Sequence, residues 1–110
     1  MTPSEYQELA ARTMSPDILN ENMDLACHAM GLSGEAGEVT DYLKKCIFHG
    51  HKFDKDILVK ELGDVMWYIA ALCTTEGVTL EEVMEKNIEK LLIRYPKGFT
   101  HEDSRKRVDQ

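Results

Sequence analysis

Two pairs of carboxylates, each with a three-residue spacing, lie in segments whose other residues predict packed helices. The first pair is Glu35 with Glu38, and the second is Glu61 with Asp64. Residues three apart lie on the same side of a helix, where like charges cost about 0.2–0.5 kcal/mol per pair. Folding gains nothing from this pattern. A divalent cation held between two such helices would explain it, because magnesium requires hard oxygen ligands.

The alternative is that these acids are simply solvated, as glutamates at this spacing often are. Each pair, however, borders an apolar arc of its helix and encloses a glycine, Gly37 or Gly63. A glycine inside a helix costs about 1 kcal/mol relative to alanine, but it allows a neighbouring helix or a ligand to approach closely. Taken together, these features favour a metal site at the seam between two antiparallel helices.

The length and charge of the chain limit what it can be. Its 110 residues suggest one domain, and its formal charge of −7 argues against nucleic-acid binding, which needs a basic surface. The longest uncharged apolar run, Val65 to Cys73, is too short to cross a membrane. The N-terminus lacks the features of a signal peptide, and three cysteines at unrelated spacings are typical of small buried residues in a reducing compartment. We therefore expect a cytoplasmic protein.

Capping and helix-breaking residues predict four helices and no strand. The predicted helices cover approximately residues 3–14, 20–48, 54–76 and 79–94, with an interruption of the second near 31–34. Capping boxes at Thr2 and Thr79 open the first and fourth helices, and Pro96 stops the fourth, because the residue before a proline avoids helical geometry. The residues after it form a polar tail.

The third helix carries no charge from Val65 to Thr75, and Trp67 and Ala71 point away from its apolar arc. A helix that is apolar on all sides must be covered on all sides. Three partner helices from one short chain would struggle to do that. We therefore expect this helix to pack against a second copy of the chain, with Trp67 as an anchor of the interface.

Several segments resemble the MazG-like nucleoside triphosphate pyrophosphohydrolases of the all-α NTP pyrophosphatase superfamily, which also holds the dimeric dUTPases and the dCTP pyrophosphatases. The segments are GLSGEAGEV at 31–39, ELGDVMWY at 61–68, NIEKL at 87–91 and RYPKGF at 94–99. The resemblance implies an all-α, four-helix-type bundle that is an obligate homo-oligomer, either a dimer or a dimer of dimers (a homotetramer). It also implies a single MazG-like helical domain over residues 1–99, followed by a polar tail at 100–110.

The resemblance implies an activity as well. The family hydrolyses nucleoside triphosphates, in this case deoxy or noncanonical ones, to a monophosphate and pyrophosphate. Its acidic quartet corresponds to Glu35, Glu38, Glu61 and Asp64, which would bind Mg²⁺ or its substitute Mn²⁺. Water activated by the metal would attack the α phosphorus, with Glu35 or Glu38 as the catalytic acceptor of its proton. In one departure, Gly34 stands where many relatives have an acid that can serve as the base.

Six further residues are candidates for binding the substrate: His28, Lys45, Tyr68, Asn87, Lys90 and Arg94. The last three share one face of the fourth helix, where Lys90 and Arg94 would neutralise the β and γ phosphates. Alternatively, these three residues belong to a solvated helix end, where basic side chains interact favourably with the terminal carbonyls.

The other three candidates also have two interpretations each. Tyr68 lies one turn beyond Asp64 and would either stack on the sugar or base or pack in the core. Lys45 would contact the triphosphate or pair with Asp41. His28 would contact the base or serve as a pocket-wall or core histidine.

Two other kinds of protein remain as alternatives. In a non-catalytic helical module, the acids would be a leftover metal site or a solvated face, and the apolar helix would serve assembly only. A di-iron carboxylate bundle would need Glu-x-x-His pairs, and His28 and His49 have the wrong spacing for them. We expect partners to be a nucleoside triphosphate and further copies of the chain, with no nucleic acid and no membrane.

Overall fold

The computed structural model describes residues 1–17 and 20–106, which fold into five α-helices. The helices are α1 (Pro3–Ala11), α2 (Glu21–Phe48), α3 (Lys55–Glu76), α4 (Leu80–Arg94) and α5 (His101–Lys106). No strand occurs within this part of the chain, so the all-α prediction is confirmed. None of these helices combines the length and hydrophobicity that spanning a bilayer requires.

The helix boundaries follow the local signals in the sequence. The Thr2 and Asp54 side chains accept hydrogen bonds from backbone N–H groups at the starts of α1 and α3. The predicted capping box of α4 forms in full, with Thr79 and Glu82 each bonding the other's backbone. Gly77 ends α3 with a φ of 70°, a conformation that glycine adopts without steric cost. Local capping chemistry therefore sets where these helices begin and end.

Three features differ from the sequence-based expectations. Helix α1 ends at Ala11 rather than near Met14, and hydrogen-bonded turns follow it. Helix α2 continues through 31–34 without interruption, because packing against α3 overrides the low helix propensity of the two glycines there. The tail contains the short helix α5, whose start is capped when the Thr100 hydroxyl accepts from the N–H of Asp103.

Helices α2 and α3 form an antiparallel pair. Near their connection, the Tyr42 ring lies beside Phe53 at a centroid distance of 6.2 Å, and the Tyr42 hydroxyl bonds both backbone groups of Asp54. Further along, Gly31 of α2 lies against Tyr68 of α3. Partner residue numbers fall on α3 as they rise on α2, so the acidic segments of both helices come to the same level.

Helix α1 covers the C-terminal half of α3. The buried core consists of the small residues Ala10, Ala70, Ala71 and Cys73 together with Leu80. Tyr6, Trp67 and Ile69 pack against it, and the Trp67 indole donates to the Thr13 hydroxyl at 2.7 Å. Much of the surface that was expected to need a second copy is therefore covered within one chain, and Trp67 packs against its own core.

The first turn of α4 is fixed to α1 by side-chain hydrogen bonds. The Gln7 amide accepts from the Leu80 N–H and donates to the Val78 carbonyl, both at 2.9 Å, and the Ser4 hydroxyl donates to the Glu81 carboxylate. Beyond this turn, the apolar residues Met84, Ile88, Leu92 and Ile93 are 53–60% exposed. One chain by itself therefore leaves the predicted four-helix bundle open on the α4 side.

The cysteines are free and differ in exposure. Cys73 is buried, Cys46 is half-buried and Cys27 is exposed. The expectation that all three are buried holds for Cys73 and is wrong for Cys27.

Candidate metal centre

Three of the four predicted carboxylates converge between α2 and α3. One oxygen each from Glu35, Glu61 and Asp64 can lie within 4.8 Å of the other two. Glu61 and Asp64 share a side of α3 because they are three residues apart, and the antiparallel pairing brings Glu35 of α2 opposite them. We call these residues the acidic trio. Only oxygen donors meet there, which is the ligand set that suits Mg²⁺ or Mn²⁺.

Electrostatic repulsion acts within the trio. The pKa of Glu35 is raised above its ordinary value, first by partial desolvation and then by the charges of Asp64, Glu61 and Glu38. Glu35 and Glu61 are half-buried, while Asp64 is exposed. A bound cation would reverse this repulsion, since it favours the ionised form of each carboxylate around it. The residues present therefore fit a divalent ion.

Glu38 lies outside the trio. It is exposed and sits about one turn further along α2. Its charge nevertheless acts on both Glu35 and Lys45, so it remains near the centre. Its assignment as a fourth ligand stays a prediction.

Tyr68 lies directly against the backbone of α2 at Gly31. A Cβ atom added to Gly31 would lie 2.1 Å from Cε1 of the Tyr68 ring, which is far inside van der Waals contact. Tyr68 follows Asp64 by one turn and Gly31 precedes Glu35 by one turn, so the ring borders the acidic trio. In the sequence, Gly31 begins the segment 31–39 that resembles the family, and it indicated a break in the helix. Neither pattern predicted its contact with Tyr68.

The glycines inside the two acidic pairs behave differently. A Cβ atom at Gly37 or Gly63 would meet nothing within 4 Å, and the same holds for Gly34. Among the residues that the structure describes, no close approach of a neighbouring helix explains Gly37 or Gly63. They border open space next to the carboxylates.

His28 extends the aromatic wall away from the trio. Its ring centroid lies 6.4 Å from that of Tyr68 and 6.3 Å from that of Trp67. Its Nδ1 atom is buried but forms no hydrogen bond with any residue that the structure describes. Beyond His28 lies a cavity of about 710 Å³, whose walls include Asp17, Asp24 and Thr74. Sequence reasoning missed this cavity, because separate chain segments form it at the helix ends.

The charge of the trio acts on Tyr6 of α1. The pKa of Tyr6 is raised, mainly by burial and in addition by the charge of Asp64. The phenol of Tyr6 is therefore close enough to Asp64 to sense its ionisation. No motif in the sequence pointed to this residue.

The predicted phosphate-binding residues occupy two places. The Lys45 ammonium pairs with the Asp41 carboxylate at 2.8 Å and, with Lys44, lowers the pKa of Asp41; this is the pairing alternative for Lys45. Asn87 and Lys90 are exposed on α4, which packs mainly against α1 rather than α2. The Arg94 guanidinium lies 5.8 Å from the centroid of the Tyr95 ring.

A profile of the MazG nucleotide pyrophosphohydrolase domain matches residues 26–99. The chain belongs to this family. The match includes the acidic trio, Glu38, Gly31 and Tyr68, so the resemblance drawn from the sequence motifs is confirmed. The family acts on nucleotides and typically uses a divalent metal.

One curated relative is the Gene 37 protein of Mycobacterium phage L5, which is 41% identical over 73 residues. The alignment covers 63% of this chain and 64% of the phage protein, so the chain spans less than two thirds of that relative. The name of the phage protein indicates no activity. No solved structure matches this chain significantly.

Proposed function

We propose that this MazG domain hydrolyses nucleoside triphosphates, particularly deoxy or noncanonical ones, between the α and β phosphates to yield a monophosphate and pyrophosphate. The observation that carries the proposal is the convergence of Glu35, Glu61 and Asp64 from two helices. Phosphoryl transfer demands in-line positioning and neutralisation of charge, with little covalent work for the protein. An open, all-oxygen site that fits divalent ions meets that demand.

The trio would hold Mg²⁺, or Mn²⁺ in its place, with Glu38 as a further ligand or as the base. When bound, the ion would neutralise charge on the phosphate oxygens and acidify a nearby water. Glu38 lies outside the trio, so we assign its carboxylate as the acceptor of the proton from the attacking water. Glu35 is the alternative acceptor of that proton.

The remaining candidates would position the nucleotide. Tyr68 borders the trio and offers a ring face or edge to the sugar, while His28 lies further along the same wall. Lys45, Asn87, Lys90 and Arg94 would bind the phosphates. Lys45 would do so while also paired with Asp41.

We further propose that two copies associate, alone or as a dimer of dimers, and that the exposed face of α4 takes part. The radius of gyration is 17.1 Å, whereas a compact domain of this length has about 13 Å. The exposed apolar residues of α4 in one chain form the kind of patch that marks an interaction site. A second copy would cover this face.

A substrate panel tests the activity. Purified protein is mixed with Mg²⁺ and each canonical or damaged nucleotide, and pyrophosphate and orthophosphate are measured separately. We expect pyrophosphate and the monophosphate, and no reaction when EDTA removes the metal. Orthophosphate as the sole product would contradict cleavage at the α phosphorus, and no product with any nucleotide would favour a non-catalytic module.

Sedimentation tests the association. Ile88→Glu places a charge in the centre of the exposed α4 face and should shift the protein towards the monomer mass. Lys86→Glu, a charge change at an exposed position of the same helix, is the matched control and should leave the mass unchanged. A wild-type protein that sediments as a monomer at high concentration would refute the proposal.

A further inference from the structure

The cavity at the end of the α2–α3 pair is lined by residues outside the acidic trio. Its volume of about 710 Å³ falls within the range of small-molecule sites, about 300–1,000 Å³. It lies where the first turns of α2 meet the last turn of α3. Residues of the segment after α1 line its remaining side. Asp24 and His28 contribute to its wall from α2, and Thr74 and Thr75 from α3.

We infer that this cavity receives the nucleobase of the substrate, and that Asp24 makes it select bases that carry an amino group over uracil and thymine. The inference rests on the proposed function for its substrate class. It goes further by giving the direction in which the nucleotide lies and by naming a residue that determines specificity.

The cavity lies in line with the metal centre along α2. His28 precedes Glu35 by about two turns of α2, or about 10 Å along the helix axis. Between them, the Tyr68 ring lies against Gly31 and beside His28. The acidic trio, Tyr68, His28 and the cavity therefore follow one another along a single seam. That order matches the order of phosphate, sugar and base in a nucleotide.

One residue of the cavity wall, His28, has an unmet hydrogen bond. The Nδ1 atom of His28 is buried, and none of the described residues bonds to it. Buried polar atoms nearly always have a partner, and leaving one unpaired costs about 1–3 kcal/mol. His28 lines the cavity, so a ligand there could satisfy this atom. A nucleobase offers both a flat face and polar edges to such a wall.

The wall of the cavity is negatively charged. The charged side chains that the structure describes on the cavity wall are Asp17, Glu21 and Asp24, all acidic. Such a wall repels phosphate and favours an uncharged ligand that donates hydrogen bonds. Glu21 is within hydrogen-bonding reach of Glu76, and Asp17 is exposed. The half-buried Asp24 is therefore the carboxylate best placed to accept a bond from the ligand.

The selectivity follows from base chemistry. Adenine, cytosine and guanine each present an amino group from which a carboxylate accepts. Uracil and thymine instead present two carbonyl oxygens on either side of a single N–H, and a carboxylate repels both. A hydrogen bond to a charged acceptor is stronger than one between neutral groups, so one well-placed carboxylate separates the two classes.

The variant Asp24→Asn tests the inference through the ratio of kcat/KM for dCTP to that for dUTP. The wild type should favour dCTP, and the variant should lose about tenfold or more of that ratio. Asp56→Asn is the matched control, because Asp56 also lies in the first turn of its helix but outside the cavity. It should leave the ratio unchanged. If Asp24→Asn lowered kcat/KM equally for dCTP and dUTP, the proposed selection would be overturned.

A binding measurement separates this inference from the proposed function. Deoxycytidine and deoxyuridine lack phosphates, so their binding depends on neither metal nor hydrolysis. Deoxycytidine should shift the NMR signals of the His28 imidazole, and it should do so more than deoxyuridine at the same concentration. Such shifts without any turnover would leave the cavity assignment standing and refute the enzyme. Turnover with no shift from either nucleoside would refute the cavity assignment alone.

Discussion

The two halves of α3 do different work. Its C-terminal half contributes the buried residues Ala70, Ala71 and Cys73, which α1 covers. Its N-terminal half carries Glu61 and Asp64, while its apolar residues Val59 and Leu62 are 63% and 49% exposed. Stability within the chain therefore comes mainly from small residues in close contact, and the chemistry comes from charged residues left open. One helix can hold both because the two regions are separated along its length.

Glu61→Gln should have the largest effect, and the effect should fall on activity alone. Losing a metal ligand should reduce turnover by more than about 100-fold. Removing a residue that only hydrogen-bonds to a metal ligand already lowers metal affinity or activity by about 10–100-fold. Without metal, the variant should be at least as stable as the wild type, because one of the charges that repel Glu35 is gone. Pyrophosphate release and urea denaturation with EDTA measure the two effects. Glu8→Gln, on the exposed side of α1, is the control and should change neither. A loss of stability in Glu61→Gln would contradict the division of α3.

Ala70→Leu is the corresponding change in the other half. Ala70 is only 1% exposed, so three added carbon atoms must displace α1 or distort α3, at a cost of about 1–3 kcal/mol. The free energy of unfolding, measured with urea in EDTA, should fall by that amount. Thr74→Val, at an exposed position of the same half, should have a much smaller effect. An unchanged unfolding free energy in Ala70→Leu would show that α1 does not pack there in solution.

Gly31→Ala should have a smaller effect, at the boundary between the two regions. The new methyl group would overlap the Tyr68 ring, so the ring must move away from α2. We expect kcat/KM to fall by about tenfold, since even small displacements of groups near the chemistry are costly.

Gly34→Ala is the matched control, because a Cβ there meets nothing within 4 Å. It should retain activity and gain up to about 1 kcal/mol of stability from helix propensity. Equal activities in the two variants would mean that Tyr68 plays no part in the reaction.

The smallest expected effect is a dependence of stability on pH. The pKa of Glu35 in the folded chain lies above its unfolded value. At a pH between these two pKa values, the folded state therefore binds more protons than the unfolded state. Stability without metal should therefore decrease as the pH rises from about the ordinary value of a glutamate through the raised pKa. Thermal unfolding in EDTA across this interval measures the effect, and Glu35→Gln should remove it. Saturating Mg²⁺ should reverse the trend by stabilising the ionised form, and the same trend with and without Mg²⁺ would contradict metal binding at Glu35.

The sequence predicted the parts of the candidate site that depend on helical periodicity. Glu61 and Asp64 had to share a side of α3, and two long helices joined by a short connection had to run antiparallel. The convergence with Glu35 followed from these two facts. The position of Glu38 could not be predicted in the same way, because a residue at the edge of a helix face can point towards its neighbour or towards solvent. The exact packing of the two helices decides between them.

The local sequence could not predict the roles of residues whose contacts lie far away in the chain. The low helix propensity of Gly31 suggested an interruption, but the contact with Tyr68 gives it a place inside a continuous helix. Trp67 was expected to contact a second copy. Within one chain its indole donates to Thr13 and its ring packs against the core, and the contact with a second copy stays a prediction. For Gly31, a contact across the fold therefore outweighs a preference of about 1 kcal/mol against glycine in a helix.

The amino-acid sequence by itself determined the starts of α1 to α4, the all-α class, the family and the shared faces of the acidic residues. Those features depend on capping groups and spacings within a few residues of each other. Only the tertiary structure decided that α1 covers half of α3, that Tyr68 rests on Gly31 and that a cavity opens beyond His28. Each of these arises where segments far apart in the chain meet, and their side-chain volumes must fit together before any of them exists.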